Sequence, residues 1–164
     1  MQSIGLVQFR QTHLDAERYL RFFKEAQIVA KEYDIRLLFN GELRDFHRTE
    51  AVGFHANSQS LMQIKNRSIP SDRYFGASCH NMSELKKALE LGVDYVSLSP
   101  VLETKNHNDL MGWEKFHKLA IEVHLPVYAL GGLGIKDLRT ARSHGAYGVS
   151  GISSWLENTK FNSN

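Results

Sequence analysis

Seven short apolar runs, each followed by a longer polar or amphipathic stretch, constrain this chain more than any other feature. They occupy residues 4–9, 35–39, 51–54, 74–77, 95–98, 127–130 and 148–152. Each has strand length, and together they are rich in Val, Ile, Tyr and Phe. The stretches between them read as helices. Asp15 is placed to cap a helix running to about Lys31, with Tyr19, Leu20, Phe23, Ala26 and Ala30 as its apolar stripe. Ser83 opens a helix through Leu85, Ala88 and Leu89 that stops near Gly92. Trp113, Phe116, Leu119, Ala120 and Val123 form another stripe before Pro126, and Leu138 and Ala141 mark the last one before Gly145. Alternating βα units predict parallel strands joined by crossover helices.

Parallel strands all end on one side. The residues closing the runs then converge there: Arg10, Asn40, His55, Ser78, Pro100, Gly131 and Ser153. In a TIM-type (β/α) barrel that side carries the active site. A doubly wound open sheet is the competing architecture, and it also binds ligands at strand carboxyl ends.

A chain of 164 residues fits one domain, expected over residues 1–157 with a polar tail at 158–164. The single cysteine, Cys79, excludes an internal disulfide and any zinc site built from several cysteines. It reads as a small buried residue rather than a nucleophile. No apolar run approaches the ~20 residues of a membrane helix. No leader pattern opens the sequence, so the expected location is the cytoplasm. Net charge is only +2 and the basic residues are scattered. That argues against nucleic acid as a partner and suits a protein that binds phosphorylated small molecules.

Four segments carry candidate chemistry. Gly131-Gly132 closes one run, and Ile152-Ser153 closes the next. Glycines let a phosphate approach bare backbone amides, and phosphate sites after the last two strands recur in barrels; the alternative is a plain tight turn. In Gly76–Asn81, Ser78 and His80 are placed to bind a polar ligand, while His80 or Asn81 is equally suited to cap the next helix. Between Ser99 and His107 lies a polar loop offering Thr104 as a donor and His107 or Lys105 as a proton or charge source. Alternation points Gln8 and Arg10 to the same side of the first strand, where Arg10 can hold a phosphate or pair with a carboxylate. The eight histidines show no metal-ligand spacing, and His13, His47, His117, His124 and His144 read as surface residues.

In this order and spacing, several pieces resemble the thiamine phosphate synthase/TenI family, in the form often fused behind a MutT-type Nudix domain. They are Gln8-Phe9-Arg10, Leu37-Leu38-Phe39-Asn40, Gly53-Phe54-His55, Gly76-Ala77-Ser78-Cys79-His80-Asn81, Gly92-Val93-Asp94-Tyr95, Ser99-Pro100-Val101 with Thr104 and His107, Met111-Gly112-Trp113-Glu114 and Ala129-Leu130-Gly131-Gly132-Leu133. The resemblance implies a (β/α) barrel that joins a hydroxymethylpyrimidine pyrophosphate to a thiazole phosphate. It implies catalytic roles for Arg10, Ser78 and His107, and substrate contacts from Gln8, Asn40, His55, His80 and Thr104. Gly131, Gly132, Ile152 and Ser153 would hold the thiazole phosphate. Mg²⁺ is the implied cofactor, but the family's two metal-binding aspartates fall at Gly41 and Ser60, and no metal ligand is assigned. Two alternatives follow: a TenI-type thiazole tautomerase, or a non-catalytic thiazole-phosphate-binding domain. The family's first βα unit would precede Ile4, so seven strands are expected. A Nudix domain or a second copy of the chain would then complete the barrel.

Overall fold

The computed structural model describes residues 5–103 and 110–156. Strands and helices alternate throughout: β1 (Leu6–Phe9), α1 (Ala16–Glu32), β2 (Arg36–Phe39), α2 (Leu43–Phe46), β3 (Gly53–Ala56), α3 (Ser58–Gln63), β4 (Tyr74–Cys79) and α4 (Met82–Glu90). β5 (Tyr95–Leu98), α5 (Gly112–Ala120), β6 (Val127–Ala129), a single 3₁₀ turn, α6 (Leu138–Ser143), β7 (Gly148–Val149) and α7 (Ser153–Leu156) complete it.

All neighbouring strands pair in parallel, and their spatial order is their sequence order, β1 to β7. A doubly wound sheet would reverse order at a switch point. The chain therefore forms a curled, seven-stranded part of a TIM-type barrel, one strand short of the eight that close such a barrel.

The pleat sorts the side chains. Phe9, Phe39, Phe54 and Phe75 point to the helix layer, where Phe9 and Phe39 meet Tyr19 and Phe23 of α1 edge to face. Phe46 of α2 bridges Phe39 and Phe54, and Phe75 continues the row. Such rings supply both area and directional contact. Residues one position away, among them Gln8, His55, Gly76, Ser78 and Tyr95, line the inner face.

Asp15 caps α1 as expected, its carboxylate accepting from the Arg18 N–H at 2.9 Å. Ser83 does not open α4. Asn81 does, because its side-chain oxygen accepts from the Glu84 N–H at 3.0 Å and leaves Ser83 inside the first turn. The run at 148–152 is strand only over Gly148–Val149. β7 is an edge with one neighbour, and its ladder ends where Ser150 N–H donates to Ala129 at 2.8 Å. Among the described residues no helix is long and apolar enough to cross a membrane. The expected tail at 158–164 lies outside the described residues.

Candidate functional site

The inner face carries a connected set of polar side chains from five strands or strand ends. Asn40, at the tip of β2, donates through Nδ2 to Gln8 Oε1 of β1 at 3.1 Å. Gln8 Nε2 lies 3.2 Å from His55 Nδ1 of β3. The same ring nitrogen is 2.8 Å from the Tyr95 hydroxyl of β5. The far ring nitrogen, Nε2, is 2.9 Å from Ser78 Oγ of β4. His55 is only 1% exposed. Burial, helped by the nearby Arg10 charge, pulls its pKa down to about 3, so the imidazole is neutral. Burial pushes the Tyr95 hydroxyl up, so it keeps its proton.

Four sequence candidates, Gln8, Asn40, His55 and Ser78, thus meet directly. Arg10 stands exposed at the end of β1, and among the described residues it makes no ion pair. Tyr19 of α1 ties that rim together. Its hydroxyl is shared between the Phe9 carbonyl at 2.6 Å and the Asn40 carbonyl at 2.9 Å.

His80 sits half-buried two residues beyond Ser78, just past the end of β4. Its Nδ1 donates to the Ser99 carbonyl at 2.8 Å, which leaves Nε2 without a protein partner among the described residues. Its backbone N–H donates to the Glu84 carboxylate at 2.6 Å, one residue before the Asn81 cap. Cys79 points away into the helix layer, buried, with its thiol pushed up to about 12. That suits packing rather than nucleophilic chemistry.

The double glycine occupies a turn that only glycine fits. Gly131 and Gly132 have φ of 103° and 67°. A Cβ on Gly131 would lie 2.8 Å from Pro100 Cα, and one on Gly132 would lie 2.5 Å from the Glu103 carbonyl. Among the described residues, neither N–H donates to a protein group, and the Ile152 N–H has no acceptor either. The two strand tips are joined: Ser154 Oγ donates to the Leu133 carbonyl at 2.7 Å. Ile152 and Ser153 themselves lie exposed at that junction. Thr104 and His107, with the rest of 104–109, lie outside the described residues.

Mg²⁺ favours hard oxygen ligands, usually carboxylates. The described residues do not suit it. No group of three His, Cys, Asp or Glu side chains gathers among them. Gly41 has no ligand atom, and a Cβ there would lie 3.0 Å from Phe39 and 3.3 Å from the Tyr19 ring. Ser60 lines a groove whose one carboxylate, Glu42, is accompanied by the cationic Lys65.

Three residues at this site were not singled out from sequence. Tyr95 and Tyr19 read as apolar positions, although each hydroxyl carries a buried hydrogen bond. Ser97 is 1% exposed, and its hydroxyl has no protein partner among the described residues. The two-residue period of β5 places Tyr95, Ser97 and Ser99 on one face, which is the signal that would have found Ser97.

Sequential parallel strands with polar groups gathered on their inner face define a TIM-type (β/α) barrel fold. The family model described as thiamine monophosphate synthase matches residues 1–155, and the chain belongs to that family. A provisionally named thiamine-phosphate synthase 2 from Aquifex aeolicus is 30% identical, over 95% of this chain and 85% of its own length. The thiamine-phosphate synthase of Fusobacterium nucleatum is 26% identical, over 94% of this chain and 76% of its own. The solved thiamine phosphate pyrophosphorylase of Pyrococcus furiosus superposes with a TM-score of 0.71 over 90% of this chain and 72% of that one. At 19% identity, the last likeness concerns the fold.

Proposed function

We propose that the chain works in thiamine biosynthesis as a thiamine-phosphate synthase, joining a hydroxymethylpyrimidine pyrophosphate to a thiazole phosphate. The observation that carries this reading is the pairing of two unlike anion-binding regions on one barrel face. One is the Gly131-Gly132 turn with unused amides beside Ile152 and Ser153, suited to the thiazole phosphate. The other is Arg10 with Gln8, Asn40 and Ser78, suited to the pyrophosphate and pyrimidine. In the reaction the pyrimidine carbon–oxygen bond breaks, and the electron pair leaves with the pyrophosphate. The thiazole nitrogen then supplies the pair for the new carbon–nitrogen bond. Arg10 and the Ser78 hydroxyl stabilise the departing charge. His55 is locked and neutral, so it orients rather than titrates. The resemblance assigns Thr104 and His107 to the reaction as well, and His80 would meet the ligand from the β4 side. Incubation with both substrates, with and without Mg²⁺, tests this. Thiamine phosphate must appear, and its absence under both conditions refutes the synthase reading.

One observation favours a second reading. Gly41 and Ser60 supply no carboxylate, while His80 is held in place through Nδ1 and keeps Nε2 clear of any protein partner among the described residues. A TenI-type tautomerase needs proton transfer on a thiazole phosphate and no metal. Deuterium exchange into a thiazole carboxylate phosphate, lost in His80→Ala, would establish it. Ligand binding with neither activity would leave a thiazole-phosphate-binding domain. We further propose that a second copy or a Nudix domain covers the barrel's open edge, which sedimentation of the chain alone tests as monomer or dimer.

A further inference from the structure

The interior hydrogen bonds run in one direction. Asn40 Nδ2 donates to Gln8 Oε1 at 3.1 Å, which turns the Gln8 amide nitrogen toward His55 Nδ1 at 3.2 Å. An amide nitrogen only donates, so with the amide turned this way Nδ1 is the bare ring nitrogen that receives it. The Tyr95 hydroxyl, able to donate or accept, is then a second donor to Nδ1 at 2.8 Å. The neutral ring carries its one proton on Nε2, and that N–H donates to Ser78 Oγ at 2.9 Å. Ser78 thereby has one lone pair occupied. Its own hydroxyl proton has no protein acceptor among the described residues. Ser78 is half-buried and lies at the carboxyl end of β4, so the proton is left for the barrel mouth.

We propose that His55 and Tyr95 are positioning residues that hold Ser78 as a hydrogen-bond donor toward the ligand. A free serine hydroxyl accommodates donors and acceptors alike. One held this way turns its proton toward the ligand and favours a group that accepts, such as a phosphate oxygen or a ring nitrogen lone pair. The identity of that group rests on the synthase reading; the direction of the relay does not.

Two measurements test the proposal. The first needs no variant and no activity: long-range ¹H–¹⁵N correlation on the histidine-labelled wild-type protein. His55 is expected as a single tautomer, protonated at Nε2 and bare at Nδ1. A proton on Nδ1, or a mixture of tautomers, overturns the proposal. The second compares catalysis. Tyr95→Phe keeps the ring and removes one donor, so kcat should fall about tenfold with KM within about twofold, the scale of one hydrogen bond. Glutamine can present an N–H near the position of Nε2, whereas phenylalanine fills the space without one. His55→Gln should therefore stay within about tenfold of wild type, and His55→Phe should lose about 10²-fold in kcat/KM. If His55 only fills the core, phenylalanine will be the better substitute, and that ranking also overturns the proposal. A wild-type protein with the expected tautomer and no synthase activity would refute the synthase reading alone.

Discussion

The two polar regions of the barrel face solve opposite problems. Around Gln8, His55 and Ser78 almost every donor and acceptor already has a protein partner, so the geometry is held before any ligand arrives. At the Gly131-Gly132 turn the amides donate to no protein group among the described residues, and the shape is held by steric exclusion instead. The first region is preorganised by hydrogen bonds. The second is preorganised by backbone that nothing but glycine can adopt. Substitutions should therefore fail differently: a side-chain change in the first region loosens a network, whereas any Cβ in the second rebuilds the main chain.

The largest effect separates the regions most sharply. Gly132→Ala places a Cβ 2.5 Å from the Glu103 carbonyl at a φ of 67°. The turn must move, and the amides with it. Losing two charge-assisted hydrogen bonds to a phosphate predicts about 10³-fold weaker thiazole phosphate binding by calorimetry. Binding within tenfold of wild type would remove this turn from the site. Next comes Arg10→Ala, which deletes the exposed cation beside the network without disturbing any hydrogen bond within it. Thiamine phosphate formation should fall about 10²-fold in kcat/KM while thiazole phosphate binding stays unchanged. Equal losses in both would show that the regions are not separate.

Periodicity carried most of the fold, because a two-residue pleat and a helical stripe are written locally. It overran at 148–152, where an edge strand with one neighbour stops as soon as its ladder stops. The convergence of Gln8, Asn40, His55 and Ser78 followed from parallel strands alone. The direction of their hydrogen bonds did not, since it depends on which atom of an amide faces which ring nitrogen across 32 and 47 residues of sequence. Tyr95 illustrates the limit. A tyrosine in a strand reads as bulk, and only its neighbours across the sheet turn its hydroxyl into a donor. His80 and Asn81 were equivalent as caps until the Glu84 N–H chose Asn81.

Acidity probes the network alone. Unfolded, His55 titrates near 6.5; folded, it titrates at about 3. Between those values the unfolded chain binds a proton that the folded chain excludes. Stability from this residue is therefore whole above about pH 6.5 and falls as pH drops, by about 1.4 kcal/mol per unit. From pH 7 to pH 5, urea unfolding of the wild type should lose about 2 kcal/mol more than that of His55→Gln. Parallel pH profiles would mean that His55 takes up a proton in the fold as readily as in the unfolded chain, and the neutral relay would be lost below about pH 6.5.

The smallest effect asks whether the network needs its surroundings. Tyr19 lies in the helix layer, yet its hydroxyl holds the carbonyls at the tips of β1 and β2, one residue before Arg10 and at Asn40 itself. Tyr19→Phe keeps the edge contacts with Phe9 and Phe39 and removes only that link. The Phe9 carbonyl retains the Asn40 N–H at 3.1 Å, so it is not orphaned. The stability loss should be about 1 kcal/mol, the net worth of one hydrogen bond. If the rim positions Arg10 and Asn40, kcat/KM will fall severalfold as well, without a change in thiazole phosphate affinity. If stability falls and kcat/KM does not, the hydrogen bonds of the inner face are sufficient by themselves, and the helix layer merely packs behind them.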